Sequence, residues 1–172
     1  MAWWNQGNYP LKVGQSKFLK ILDFYLFNCP VEKGTKKERI SVRGKTFSER
    51  KITDKKLRSL FDEIKKTIEH VECIKSDGDV EKKVKEIETN NKYKDSLFQL
   101  VVFRKNSQLG QTKTIFYTIR NALAHGAFSV KPTKKETVYL FENKYHNEIK
   151  AQFRLKESTL IKWIDLVERF TK

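Results

Sequence analysis

The chain has 172 residues, of which 38% are apolar and 12% aromatic, and this is enough to build the core of one ordinary domain spanning residues 1–172. Its 36 Lys and Arg residues outnumber its 21 Asp and Glu residues, and the net charge of +15 fits either a polyanionic partner or a lysine-rich surface that keeps the protein soluble. Cys29 and Cys73 are far apart and lack the spacing of metal ligands, which argues against a disulfide framework and a zinc site.

The longest apolar stretch, residues 18–27, contains Lys20 and Asp23 and is too short to cross a bilayer. The spacing of its apolar residues after Ser16 predicts a short amphipathic helix, although its many aromatic residues also fit a strand. The first residues of the chain lack the pattern of a secretory signal. We therefore expect a cytoplasmic protein without a membrane partner.

A basic segment comes next. Residues 34–53 are rich in Lys and Arg and show no helical periodicity, which predicts a basic loop or hairpin. Residues 40–45 within it could form a short strand. A solvated loop explains this composition nearly as well as a surface that binds a polyanion.

Residues 54–75 show the clearest helical pattern of the chain, with Thr53 or Asp54 available as N-cap. The apolar residues of its predicted buried face are Leu57, Phe61, Ile64, Ile68, Val71 and Ile74. Residues 79–91 predict a second, more polar helix that ends at two asparagines. Residues 96–105 are more uniformly apolar and fit either a buried helix or a buried strand, which periodicity alone does not separate.

Residues 112–125 predict a further helix, which Gly126 ends because glycine readily adopts the positive φ found after helices. Alternating apolar and polar residues then predict a β-meander over residues 127–155. Its three antiparallel strands are expected at residues 127–132, 137–143 and 148–155. A last amphipathic helix is predicted at residues 157–172.

The helix at residues 112–125 carries two distinct faces, because each residue advances by about 100° around the axis. The predicted core-facing arc contains Ala122, Ile115, Ile119, Leu123 and Phe116. The opposite arc, predicted to be exposed, contains Arg120, Ala124, Tyr117, Asn121 and His125. Residues four apart are neighbours on a helix surface, so the last two of these side chains are expected to lie side by side.

The polar arc combines side chains suited to proton transfer and to anion binding. The Asn121 amide could fix the imidazole of His125 in one tautomer, leaving the other ring nitrogen for proton transfer. The Arg120 guanidinium suits phosphate oxygens. Residues 97–126 contain no Asp or Glu, so a carboxylate-bound metal centre is not expected there. The alternative is that all three are solvated surface residues, with His125 complementing the negative end of the helix dipole.

The segment Ile119-Arg120-Asn121-Ala122-Leu123-Ala124-His125-Gly126 resembles the R-x4-6-H motif of the HEPN superfamily, including the polar residue that commonly follows the Arg. Residues 126–130 and 154–164 look like a prokaryotic, plasmid- or phage-associated branch of that superfamily, and the resemblance covers residues 112–172.

The resemblance implies a mainly α-helical HEPN-type bundle, here with the small antiparallel β-meander before the C-terminal helix. It further implies a homodimer in which two such motifs face each other and form a metal-independent RNase centre without a cofactor. Such proteins often act in toxin-antitoxin or antiviral systems, so an antitoxin or regulatory protein is a possible partner. Some relatives carry a modifiable Tyr two residues after the His, whereas this chain has Ala127 there.

Carried over, the resemblance makes His125 the proton-transfer residue, Arg120 the phosphate and transition-state stabiliser, and Asn121 the orienting residue. Further contacts with RNA are expected from basic residues elsewhere in the chain, namely Lys113, Arg104, Lys36, Lys37 and Arg39. A non-catalytic HEPN module that binds RNA or nucleotides, or that serves for dimerisation, is the main alternative. A third option is a DNA-binding protein, but the sequence has no clear helix-turn-helix pattern to support it.

Overall fold

The computed structural model describes residues 15–31, 45–90, 95 and 97–171. Its five α-helices are α1 (Gln15–Leu22), α2 (Asp54–Lys65), α3 (Val80–Thr89), α4 (Gly110–Ala124) and α5 (Glu157–Thr171), and a π-helix at Asp23–Asn28 continues α1. The five strands are β1 (His70–Ile74), β2 (Leu100–Arg104), β3 (Phe128–Pro132), β4 (Thr137–Tyr145) and β5 (Glu148–Lys156).

All five strands belong to one mixed sheet with the order β1-β2-β5-β4-β3. The pair β1 and β2 is parallel and is connected through α3, and the other three pairs are antiparallel. The expected mainly α-helical bundle with a three-stranded meander is therefore wrong. The meander itself is present as β3, β4 and β5, but two further strands extend it, and the fold is α/β.

The long helix predicted at residues 54–75 is wrong beyond its first three turns. The helix α2 begins as predicted, with the Thr53 side chain accepting a hydrogen bond from the Lys56 amide, and it ends at Lys65. Beyond that end, Thr67 Oγ1 donates to the Ile64 carbonyl at 2.7 Å and accepts a hydrogen bond from Trp163 Nε1 at 2.8 Å. These bonds hold the chain in a turn, after which β1 pairs with β2 instead of continuing the helix.

The remaining predicted elements are close to their expected places. Asp79 caps α3 by accepting a hydrogen bond from the Lys82 amide at 3.0 Å, and residues 100–104 form a strand rather than a helix. Helix α1 and its π-helical continuation confirm the helix predicted for residues 18–27 and exclude the strand that was its alternative. The three strands of the meander and the C-terminal helix are confirmed.

Helices cover the two faces of the sheet unequally. Helices α1, α2, α4 and α5 pack with one face into the main core, where Phe116, Phe141, Phe153 and Trp163 are buried. Helix α3 packs on the opposite face and forms a smaller core with Leu100 and Val102 of β2. None of the described helices is long and apolar enough to cross a membrane.

Part of the basic segment lies outside the described residues, including residues 40–44 of the possible strand at residues 40–45 and the predicted RNA-binding residues Lys36, Lys37 and Arg39. The described end of that segment, residues 45–53, is a turn without a strand, and Phe47 within it is fully buried.

Candidate functional site

Helix α4 positions the residues of the motif, and its buried face is the predicted one. All five residues of the core-facing arc are buried: Ile115, Phe116, Ile119, Ala122 and Leu123. Gly126 has a φ of +66°, as predicted. The Ala127 amide donates to the Ala122 carbonyl at 2.8 Å, and the Gly126 amide donates to the Leu123 carbonyl. This is the hydrogen-bond pattern of a Schellman motif, which ends the helix just after His125.

Arg120 is not on an exposed face, and this part of the prediction is wrong. Only 8% of Arg120 is exposed, and its Nε is buried without a hydrogen-bond partner among the described residues. The π-helix packs against α4. The charge of Arg120 acts on the buried Cys29 thiol, whose pKa is raised mainly by burial and is lowered in part by that charge. Arg120 therefore faces the protein interior.

Asn121 lies on a different side of α4, toward β4. Its Nδ2 donates a hydrogen bond to Oδ1 of Asn143 on β4 at 2.9 Å. Because successive residues are about 100° apart on a helix, Asn121 and Arg120 leave α4 in different directions. The predicted hydrogen bond between the Asn121 amide and the imidazole of His125 is absent from the described contacts.

His125 occupies the C-cap position of α4, and its side chain is exposed. Its backbone amide donates to the Asn121 carbonyl at 3.0 Å. Its ring makes no hydrogen bond or ion pair with any residue that the structure describes. The three motif residues are thus not assembled into one hydrogen-bonded group within a chain: Arg120 is buried, Asn121 bonds β4 and His125 faces solvent.

A cleft with a volume of about 430 Å³ lies beside the Asn121 face of α4. Four cations line it at the ends of three strands: Arg104, Lys105, Lys144 and Lys150. Uncharged polar and aromatic groups line it as well, among them Tyr117, Asn121, Asn143 and Tyr145. We call this feature the basic cleft. His125 lies one helical turn beyond Asn121, at the C-terminal end of α4.

Acidic side chains neutralise part of this charge. Glu148 forms ion pairs with Lys150 and, at 3.0 Å, with Arg104, and these two cations lower the pKa of its carboxyl group. Lys144 Nζ lies 2.7 Å from Oε1 of the buried Glu142. Lys105 is exposed and has no ion pair within the described part of the chain. The four cations and two carboxylates leave the basic cleft with a net positive charge.

Of the residues predicted to bind RNA, the structure places Arg104 in the basic cleft. Lys113 lies on another side of α4, where its Nζ donates to Ser48 Oγ at 3.3 Å, so the structure does not bring these two together. Four further residues of the cleft were not predicted from the sequence, namely Lys105, Lys144, Lys150 and Tyr145. The gap between the strands predicted at residues 137–143 and 148–155 was the available signal, because Lys144 and Tyr145 lie in it and Lys150 follows shortly after it.

The basic cleft also lies where the two parallel strands end. Arg104 is the last residue of β2, and Ser76, shortly after β1, lines the cleft too. Ligands of open α/β sheets commonly bind outside the carboxyl ends of the strands. Among the described residues, no group of three or more His, Cys, Asp or Glu side chains is arranged to hold a metal ion.

Comparison of the chain with known protein families, with curated proteins and with solved structures finds no match.

Proposed function

We propose that the protein is a metal-independent endoribonuclease in which His125 transfers protons. The observation that carries the proposal is that this imidazole is exposed at the end of α4, one turn beyond a cleft whose cations suit an RNA backbone. The resemblance of residues 119–126 to the HEPN motif supports the same assignment. A cytoplasmic role in toxin-antitoxin or antiviral defence, with an antitoxin or regulatory partner, rests on that resemblance alone.

The proposed reaction is an attack of the 2′-hydroxyl of RNA on the adjacent phosphorus. A base removes the 2′ proton and an acid protonates the leaving 5′-oxygen, so the products carry a 2′,3′-cyclic phosphate and a 5′-hydroxyl. One chain supplies one motif histidine. A homodimer with its two-fold axis between the α4 ends supplies both histidines, which is why we propose that the active form is dimeric.

The buried position of Arg120 changes the role that the resemblance implies for it. A guanidinium that is 8% exposed is poorly placed to bind phosphate from solvent. In this proposal Arg120 is a positioning residue at the junction of α4 and the π-helix. The positive charge for the scissile phosphate comes from the cations of the basic cleft instead.

The arrangement of the motif also favours a second candidate, an RNA-binding module that does not cleave. Asn121 is bonded to Asn143 and therefore does not orient the imidazole of His125. In this second candidate the cations of the basic cleft bind RNA, but the RNA is not cleaved because no acid-base pair is assembled.

The test is incubation of purified protein with total RNA in EDTA, followed by mapping of the fragment ends. We expect fragments with cyclic phosphate ends from the wild type and none from His125→Ala, because a general acid-base step contributes about 10²–10⁴-fold. His146→Asn is the matched control: His146 is also exposed, and its positive φ of 48° tolerates Asn.

The same samples separate the two candidates. Equal cutting by wild type and His125→Ala contradicts the assignment of His125. Salt-dependent RNA binding without any cutting by the wild type supports the non-catalytic candidate. Light scattering of the purified protein checks the dimer, and a strictly monomeric protein that cuts RNA contradicts the two-histidine mechanism.

A further inference from the structure

The basic cleft combines three kinds of side chain that match the parts of one small molecule. Lysine and arginine side chains suit a phosphate group, tyrosine rings suit a flat base, and the asparagine pair suits the hydrogen-bonding edge of that base. We propose that the cleft binds a nucleotide, with its phosphate among the cations and its base on Tyr145. This inference does not depend on RNA cleavage.

Lys105 and Arg104 form the phosphate end of the proposed site. Lys105 is exposed and has no ion pair among the described residues, so its ammonium group is available for an anion. Arg104 lines the cleft beside Lys105, and its Nη1 donates a hydrogen bond to Glu148 at 3.0 Å. A guanidinium has several N–H donors and pairs well with phosphate oxygens.

Glu148 opposes the binding of a phosphate. It lies between Arg104 and Lys150, and its carboxylate holds both cations where the phosphate of the ligand would bind. Its carboxyl group remains ionised because these two cations lower its pKa. Removal of this negative charge should therefore raise the affinity for phosphate-bearing ligands.

Tyr145 and the asparagine pair form the base end. Tyr145 is 64% exposed, which is unusual for a large aromatic residue. Its ring contacts the imidazole of His146 edge-on, with the two ring centroids 4.1 Å apart. The hydrogen bond between Asn121 and Asn143 uses one donor and one acceptor. It leaves Asn121 Oδ1 and Asn143 Nδ2 without a described partner, one acceptor and one donor for a base edge. A volume of about 430 Å³ falls in the range of small-ligand sites.

The test is isothermal titration of the wild-type protein with AMP, adenosine and inorganic phosphate at low salt. We expect AMP to bind more tightly than either of its parts, because only AMP contacts both ends of the cleft. AMP contains no phosphodiester bond for the proposed ribonuclease to cut. Binding of AMP and failure to cut RNA are therefore separate results.

Charge variants test the phosphate end. We expect Lys105→Glu to weaken AMP binding at least about fivefold, and Glu148→Gln to strengthen it. Lys131→Glu is the matched control, because Lys131 is also exposed but lies on β3, opposite the start of β4 rather than its end at the cleft. Equal weakening by the Lys131 and Lys105 variants would show non-specific attraction and overturn the proposal.

Tyrosine variants test the base end. Stacking predicts that Tyr145→Ala loses about tenfold in affinity for AMP and none for inorganic phosphate, whereas Tyr145→Phe retains binding. AMP affinity unchanged in Tyr145→Ala would overturn the base assignment.

The nucleotide is either a free molecule or one unit of a single-stranded RNA. A tetranucleotide with 2′-O-methyl groups, which block attack by the 2′-oxygen, distinguishes these sources. Binding of AMP at least as tight as that of the tetranucleotide supports a free nucleotide, and a clear preference for the tetranucleotide supports a unit of RNA. Binding of neither probe overturns the proposal.

Discussion

Asn121 on α4 and Asn143 on β4 are joined by a hydrogen bond of 2.9 Å between their side-chain amides. This bond ties α4 to the sheet at the edge of the basic cleft, and it directs the Asn121 amide away from the imidazole that the resemblance to the HEPN motif would have it orient. A partly buried amide pair of this kind is expected to be worth about 0.5–1.5 kcal/mol.

The amide pair predicts an energetic coupling between its two residues. We expect Asn121→Ala and Asn143→Ala each to lower the free energy of unfolding, and the double variant to lower it by less than the sum. The coupling from a double-mutant cycle in urea should be about 0.5–1.5 kcal/mol. Strictly additive effects would show that the pair is not formed in solution.

The burial of Arg120 predicts how its replacement affects stability, because its guanidinium is buried and its Nε lacks an acceptor in the described residues. We expect Arg120→Met to keep the free energy of unfolding within about 1 kcal/mol of wild type or to raise it, because Met replaces the buried stem and removes the desolvated charge.

Arg120→Ala is the companion variant. It removes the stem as well as the charge, and we expect it to cost about 2 kcal/mol or more in urea unfolding. A Met variant as unstable as the Ala variant would contradict the view that Arg120 packs as a cation without a partner among the described residues and would indicate a buried ion pair.

The sequence predicted best those elements whose apolar residues follow one period. In α4 the arc from Ile115 to Leu123 repeats with the helical period, and in β5 the apolar residues alternate with polar ones. Both patterns arise because one face of the element meets the core. The residues that begin or end helices, such as Thr53, Asp79 and Gly126, are local signals that can also be recognised in the sequence.

The strands β1 and β2 could not be read in this way. In β1 the alternation of polar and apolar residues covers only His70 to Cys73, and it is masked because Val71 and Ile74 continue by coincidence the helical spacing that starts at Leu57. In β2 the first four residues are buried on both faces, which gives a uniform apolar run. The pairing of β1 with β2 is a tertiary interaction that no local pattern reveals, and it makes the fold α/β instead of mainly α-helical.

The candidate site was predicted only in its helical part. The sequence places Arg120 and Asn121 on one polar arc, but the side of α4 that is covered depends on the packing of the π-helix, which no local pattern reveals. Lys105, Lys144 and Lys150 come from the ends of three different strands and meet only through the sheet order.

Two buried tyrosines predict how stability depends on pH. Tyr25 donates from its hydroxyl to the Leu160 carbonyl at 3.0 Å, and Tyr139 donates to Glu157 Oε1 at 3.1 Å. Burial raises the pKa of both hydroxyls, and the charge on Glu157 raises that of Tyr139 further. The unfolded chain therefore loses these protons near pH 10, where the folded protein still holds them.

It follows that the stability contributed by each tyrosine is complete below pH 10 and declines as the pH rises above it. The expected slope is about 1.4 kcal/mol per pH unit for each group that titrates only on unfolding. Urea unfolding between pH 9 and 11 should show a shallower decline for Tyr139→Phe than for wild type. Parallel curves would mean that Tyr139 titrates alike in both states.

Gly126 sets the direction in which the chain leaves His125, and it provides the last prediction. Its φ of +66° disfavours any residue with a Cβ, although a Cβ there would meet nothing within 4 Å. Gly126→Ala should therefore cost about 1 kcal/mol through backbone strain alone, and Gly126→Asn should cost less because Asn tolerates this conformation. Thermal and urea unfolding measure both variants, and an alanine variant as stable as wild type would show that α4 does not end in a Schellman motif at this residue.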